Sequence, residues 1–391
     1  MPKKMEKEKR EELKLRILKA LSLNSRASVN DLANYLHIPK PSAYILMNEA
    51  INEYGIVFVP EINIENIWRY EFLKLTKVHS KREMFYRTLE QMHEMGFEEY
   101  IVMIKFIGRV PGNEEFMKAT KSSYMLQFAS KLKGEHNFMM YLVGRSFTHI
   151  DNFVTHFSTE LKNYKFVSQI IRIRKGMGFF PIRNELIEKF EIAEAYKNLL
   201  LGLNGKGRAR IEDMSKGTDT NRVGLIYAFE RLRNTDILSR ISYYEEKPAL
   251  KKTLLINIDV LNMTKFYKGQ KEWYLSLVKR YEYRHNEIDF MCDISNPLGL
   301  FIIATFENQE EADKFIKNAK DMLKEGANIK YHLVEEVLLG KLGIRNMDMK
   351  FTHVYGELEY HKIVPKVSKV HMGEYQHTLP RFAEDVVKEF E

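Results

Sequence analysis

The sequence predicts an α+β chain in which two winged helix-turn-helix modules alternate with two ferredoxin-like β-α-β-β-α-β sheets. Three observations predict it. The stretch "DLANYLHIPKPSAYILMNEAINEYGIV", Asp31 to Val57, sets two short helical patterns on either side of Pro39 and Pro41 and ends at a glycine before a β-branched run. The same plan returns about 180 residues later, and a recurrence on that scale marks a duplicated unit. Each copy is then followed by segments that read strand, helix, strand, strand, helix, strand.

The first helix follows from Leu13, Ile17, Leu18 and Leu21, whose spacing puts apolar groups on one face. Ser28, with Asp31 three residues on, is a fair N-cap for a second helix that turns Leu32, Ala33 and Leu36 inward. "HIPKP" makes the turn, since each proline pushes the residue before it out of the helical region. The third helix, Ser42 to Tyr54, keeps Ala43, Leu46, Met47 and Ala50 inward; Gly55 ends it, and "IVFVPEINI" is the extended wing. In the second copy "IAEAYKNLLLGL", "RIEDMSKG" and "NRVGLIYAFERLR" are the helices, the last with Leu225, Ala228, Phe229 and Leu232 inward. "DILSRISYYEE" is its wing, with Ile237 standing where Ile56 stood.

The second sheet is "KTLLINIDV", "TKFYKGQKEWYLSLVKRYEY", "EIDFMCDIS", "LGLFIIATF", "NQEEADKFIKNAKDMLKEG" and "IKYHLVEEVLL". In the first, "YMLQFAS", "NFMMYLVGRS", "THIDNFVTHFSTELK" and "KFVSQIIRIRK" supply the hairpin, second helix and last strand. Its first strand is either "YEFLKLTKV" or "EEYIVMIKFIGRV", and an extra strand or helix is expected between residues 79 and 123. The expected domains are residues 1–66 and 183–248 for the winged helices, 67–182 (with the insertion) and 249–345 for the sheets, and 346–391 for a tail.

Composition narrows the function classes. A chain of 391 residues allows two to four compact units, and 45% apolar residues can fill their cores. Lys+Arg 61 against Asp+Glu 53 gives +8, a modest excess that favours polyanion partners. One cysteine, Cys292, excludes an internal disulfide framework and points to a reducing compartment. No apolar run reaches the roughly 18 residues of a membrane helix, and "MPKKMEKEKREELKLRIL" has no signal-peptide core. These features are those of a cytoplasmic protein with no membrane partner.

The stretch "SVNDLANYLHIPKPSAYILMNEAINEYGIV", the following "NIENIWRYEFLKLTKV" and the turn "KLKGEHNFMMYLV" resemble the Lrp/AsnC, or feast/famine, transcription regulators. The similarity lies in pattern and spans both copies, from residue 8 to about 345. It implies sheet domains that dimerise, winged helices that bind double-stranded DNA, and an amino-acid-like effector held between sheets. The chain is then similar to a covalently fused dimer, an internal pseudo-dimer open to further homo-oligomerisation. Richness in Lys, Ile, Glu and Tyr is the only ground for expecting an archaeal type.

Two diverged readers on one chain should prefer an asymmetric site. The DNA-facing candidates of the first are Lys40, Ser42, Tyr44 and Asn48, with Ile45 and Asn52 on the same face. Those of the second are Thr220, Arg222, Tyr227 and Arg233, with Lys206 and Arg208 of "GKGRAR" placed to meet phosphates. Arg and Lys suit the phosphate backbone, while Asn and Arg can read base edges bidentately. The second reader is the better endowed. Each of these side chains also fits a plain solvated surface, and the winged helices also fit a scaffold that binds protein.

At the hairpin, Gly134 serves a tight turn. The family's effector lies near the matching turn, so the resemblance makes Lys133, Gly134 and Glu135 the effector candidates; the second hairpin, "SNPLGL", has no charge. No catalytic residue, cofactor or metal is expected. His149 and His156 are two turns apart on one helix, and His136, His332 and His361 are scattered surface or satisfied histidines. "GKGRAR" lacks the P-loop order, and "KKMEKEKREELK" is a solvated helix end. One enzyme family, the siroheme decarboxylases, shares the tandem plan. Its Arg-His pair is not found near the start of the sheet domain, where Arg69 precedes Tyr70, and Arg284 with His285 falls at a helix end.

Overall fold

The computed structural model describes residues 2–23, 25–67, 97–120, 123–177, 180–235, 237–245, 252–280, 288–295 and 298–341. In chain order the elements are α1 (Pro2–Leu23), α2 (Val29–Leu36), α3 (Lys40–Tyr54), β1 (Ile56–Ile62), β2 (Glu98–Ile107), α4 (Asn113–Thr120), β3 (Leu126–Lys133), β4 (Phe138–Gly144), α5 (Phe147–Glu160) and β5 (Lys165–Met177). There follow α6 (Asn184–Ile187), α7 (Glu194–Leu203), α8 (Ile211–Lys216), α9 (Arg222–Asn234), β6 (Leu238–Glu245), β7 (Lys252–Val260), α10 (Met263–Arg280), β8 (Ile288–Ser295), β9 (Leu298–Phe306), α11 (Gln309–Leu323) and β10 (Ala327–Leu339). They form two compact units, one drawn from Met1–Tyr70 with Glu191–Glu246 and the other from Glu71–Phe190 with Lys247–Asn346. The chain therefore groups like with like: two winged helices in one unit, two sheets in the other.

In the first unit, local chemistry sets the helix ends as expected. Ser28 accepts from the Asp31 amide, and the Asp31 carboxylate accepts from the Ser28 amide, a complete capping box for α2. His37 closes α2 in the left-handed region at φ 54, and Gly55 closes α3 at φ 60. Pro41 lies inside the first turn of α3, which begins at Lys40. A proline there breaks nothing, because the first-turn amides have no partner within the helix. Ala43, Leu46, Met47 and Ala50 are buried, as are Leu225, Ala228 and Leu232 of α9; Phe229 is only half-buried.

The wings depart from expectation. β1 and β6 pair antiparallel with each other, Ile56 opposite Glu245 through Glu61 opposite Arg240, so each copy supplies one strand of a shared ribbon. Phe58, Val59, Ile62, Ile241, Tyr243 and Tyr244 are buried there. The ribbon is thus core between the copies. The end of "KKMEKEKREELK" is likewise tied down, with Arg10 paired to Glu49 at 2.5 Å and Lys14 to Glu53 at 2.6 Å on α3.

In the second unit each copy has the sequence β-α-β-β-α-β. The first orders its strands β5-β2-β4-β3 and the second β10-β7-β9-β8, and they join edge to edge as β10 with β3 and β5 with β8 into a closed barrel of eight strands. Closure leaves no free strand edge among the described strands of this unit. "EEYIVMIKFIGRV" supplies the first strand of copy one, whereas "YEFLKLTKV" lies outside the described residues. From β2 onward the described residues of copy one hold no extra element, because α4 is the first helix of the motif, and residues 79–96 of the expected insertion lie outside the described residues. Its surplus length is in the connection from wing to sheet, residues 63–97, against 246–251 in copy two.

The helical side of the first sheet packs Tyr100, Val102, Ile104 and Phe106 against Ile150, Phe153 and Phe157. Strand alternation sends the intervening residues into the barrel, which is filled by aromatics from both copies. Phe180 lies 5.2 Å from Phe128, 4.2 Å from Tyr141 and 5.0 Å from Phe290, measured between ring centres. The lone thiol, Cys292, is buried. No described helix is long and apolar enough to cross a membrane.

Candidate nucleic-acid interface

Helices α3 and α9 occupy equivalent places and turn their outer faces to solvent. On α3, Lys40, Ser42 and Tyr44 are exposed, Tyr44 at 55% and Ile45 at 51%, while Asn48 is half-buried. On α9, Arg222, Val223 and Tyr227 are exposed, Val223 at 74% and Tyr227 at 59%. Asn221 caps this helix by accepting from the Gly224 amide at 2.8 Å. Thr220, half-buried just before it, accepts from the Asn198 side-chain amide at 3.1 Å. The Arg222 Nε meets Glu212 Oε1 of α8 at 2.8 Å.

One expected phosphate contact, Arg208, and one expected helix-face residue, Arg233, lie elsewhere. Arg208 is directed into the unit: Nη1 donates to the Ser25 carbonyl, Nη2 donates to the Ala27 carbonyl at 3.1 Å, and the guanidinium lies over the Phe58 ring at 5.5 Å. Burial, with Arg26 nearby, pulls its pKa below the usual guanidinium value. Arg233 lies over the Phe229 ring at 5.9 Å, along the helix flank. Lys206, two residues before Arg208, remains exposed.

The hairpin candidates gather more than sequence suggested. Lys133, Gly134 and Glu135 are exposed, and Glu135 pairs with Lys105 at 3.5 Å and with Lys330 of β10 at 3.8 Å. Lys330 draws the Glu135 carboxyl below the ordinary range against a small opposing effect of burial, and Lys105 and His136 add to it. His136 and His332 are not scattered: Nδ1 of the first lies 3.0 Å from Nε2 of the second, where β3 of copy one meets β10 of copy two. Burial lowers the pKa of both, that of His332 to about 4 with His136 contributing. His332 is 2% exposed and its Nδ1 has no hydrogen-bond partner. Gly134 has φ 151, and a Cβ there would stand 2.7 Å from His332 Cδ2.

Sequence reasoning missed Arg26, whose Nη1 donates to the Gly207 carbonyl at 3.0 Å and whose Nη2 donates to the Ala209 carbonyl at 3.3 Å. The available signal was the recurrence of Arg-Ala 182 residues apart, in "SRAS" and "GRAR". The histidine pair had no such signal. Among the described residues no group of three or more His, Cys, Asp or Glu could hold a metal ion.

No protein-family model matches the sequence, nor does any curated protein. Solved structures do. The chain is similar to the siroheme decarboxylase NirDL, at 13% identity over 90% of this chain and 99% of that one, with a TM-score of 0.50. Matches over part of the chain include LrpC of B. subtilis, 14% identical over 41% of this chain and 91% of that one at a TM-score of 0.26. A regulator of Pyrococcus furiosus from the AsnC family is 15% identical over 37% and 91%, at 0.28. What the likeness over 90% of this chain shows is the fold: a tandem of winged helices and small sheets on one chain.

Proposed function

We propose that the protein is a DNA-binding transcriptional regulator with two unlike reading heads on one chain. The observation that carries this is the outward presentation of α3 and α9 from a single unit, whose copies are locked by the β1–β6 ribbon. Helix N-termini of this motif enter the major groove. In the first head Lys40 and Ser42 meet phosphates while Tyr44 and Asn48 face bases; in the second Lys206 and Thr220 meet phosphates while Arg222 and Tyr227 face bases. Arg233 is at the flank, and Arg208 is structural. The test is fluorescence anisotropy with random and genomic duplexes at two salt concentrations. Tight binding that weakens steeply with salt and favours a subset of sequences supports the reading. Absence of binding at low salt removes it.

The hairpin is the proposed effector site. Glu135 between Lys105 and Lys330 offers one carboxylate and two ammonium groups, complementary to the two ends of an amino-acid-like zwitterion. Glu135→Gln should abolish any change that amino acids cause in DNA affinity.

A second reading, an enzyme of the siroheme-decarboxylase kind, is favoured by the length over which that fold overlaps this chain. An absorbance spectrum of the purified protein separates the two, since a bound tetrapyrrole absorbs strongly in the visible range.

A further inference from the structure

We infer that Glu212 is a positioning residue that presents the Arg222 guanidinium to a guanine in one half-site only, an inference that rests on the DNA-binding reading above. Arg222 is the first residue of α9, whose N-terminus Asn221 caps through the Gly224 amide, and the Thr220 side chain just before it accepts from Asn198. Glu212 Oε1 stands 2.8 Å from the inner nitrogen, Nε, as an ion pair at the surface. No described residue takes the outer Nη1 and Nη2, and the side chain is 62% exposed.

That division of the guanidinium is what base reading needs. Guanine offers O6 and N7 side by side in the major groove, and two parallel N–H donors satisfy both. An arginine drawn to a carboxylate on its Nε side keeps its outer fork turned away from that carboxylate and loses less rotamer freedom on contact. Glu212 has an opposite effect on general affinity, because its negative charge stands near where phosphates must come. Affinity and discrimination are therefore opposed at this residue.

The first head lacks the device. At the positions 182 residues earlier stand Asn30 for Glu212 and Lys40 for Arg222, which supply neither the carboxylate nor the fork. Lysine binds phosphate as a point charge and does not match a base edge bidentately. Guanine selection should therefore appear in the half-site under α9 alone.

The experiment selects bound duplexes from a random-sequence pool with the full chain, comparing wild type, Glu212→Gln and Arg222→Lys, and then measures salt dependence on the selected duplex. Wild type should fix a guanine at one position of one half-site. Glu212→Gln should bind arbitrary duplexes more tightly yet lose about tenfold of the guanine preference. Arg222→Lys should lose the preference with its salt dependence unchanged, since the charge remains. If DNA binds but the guanine preference survives Glu212→Gln, or wild type shows none, the inference is overturned and the regulator reading stands. If wild type binds no duplex at low salt, both are overturned.

Discussion

Arg26 and Arg208, 182 residues apart in sequence, make the same contact in opposite directions. Arg208 donates to the carbonyls on either side of Arg26, at Ser25 and Ala27, and Arg26 donates to those on either side of Arg208, at Gly207 and Ala209. Each guanidinium also lies over an aromatic ring, Phe229 for Arg26 and Phe58 for Arg208. This reciprocity is the contact expected across a two-fold axis, here built within one chain. Gly207 belongs to it, because a Cβ there would come within 2.3 Å of Ile241 Cγ2.

Removing one side of this clamp should be felt in stability. Arg208→Ala deprives two carbonyls of a charged donor, and such bonds contribute about 1.5–3 kcal/mol each. With each bond at the low end of that range, a loss of about 3 kcal/mol in the unfolding of the winged-helix unit is expected, against under about 0.5 kcal/mol for Arg222→Ala at the surface. Chemical denaturation followed by circular dichroism measures both. Salt dependence of DNA binding should behave in the reverse way, with a change of about one unit in slope for Lys206→Ala and none for Arg208→Ala.

Rigid coupling of the heads predicts a phase requirement in DNA. Inserting about half a helical turn between the two half-sites should weaken binding at least tenfold, and a full turn of about 10.5 base pairs should restore part of it. Equal affinity across the series would mean that the heads do not engage one duplex together.

The histidine pair makes the barrel sensitive to acid. His332 has a folded pKa of about 4, below its unfolded value of 6.5, so the unfolded chain takes up the proton first as pH falls. Stability is complete above about pH 6.5 and declines on the way to pH 4, by roughly 3 kcal/mol for this group. Glu135 opposes the shift and Lys105 and Lys330 deepen it for His136. His332→Gln should flatten the pH dependence between those values. A slope identical to wild type would show that the pair does not carry it.

Gly134→Ala tests the hairpin against the last strand. A left-handed φ of 151 and the 2.7 Å approach to His332 act together, so a loss of about 1–3 kcal/mol is expected. Gly108→Ala shares a positive φ, 84, but has open space around the new methyl. It should cost about 1 kcal/mol, and the difference between the two melts isolates the contact.

Much of the fold was legible because its causes are local. The capping pair Ser28 and Asp31, the left-handed Gly55 and the short apolar run in "KTLLINIDV" act over a few residues, so periodicity, run length and cap chemistry placed them. The outer faces of α3 and α9 followed from the same periodicity once Ala43, Leu46, Leu225 and Leu232 were set inward. Pro41 misled because proline excludes a helix interior but not a first turn. The choice between "YEFLKLTKV" and "EEYIVMIKFIGRV" could not be made locally, since both satisfy the strand pattern. Pairing of Tyr100–Ile107 with β5 shows the latter to be a strand.

From the sequence alone came the duplication, the alternation of winged helix and sheet, and the apolar face that each helix turns inward, because hydrophobic burial imposes its period on every element separately. Tertiary structure alone decided which copy touches which. Wings that read as free ribbons pair with each other, Arg208 that reads as a phosphate contact closes on Ser25 and Ala27, and His136 meets His332 across 196 positions of chain. Such contacts depend on the packing of two similar surfaces. Their partners are far apart in sequence, and no short-range pattern encodes the distance between them.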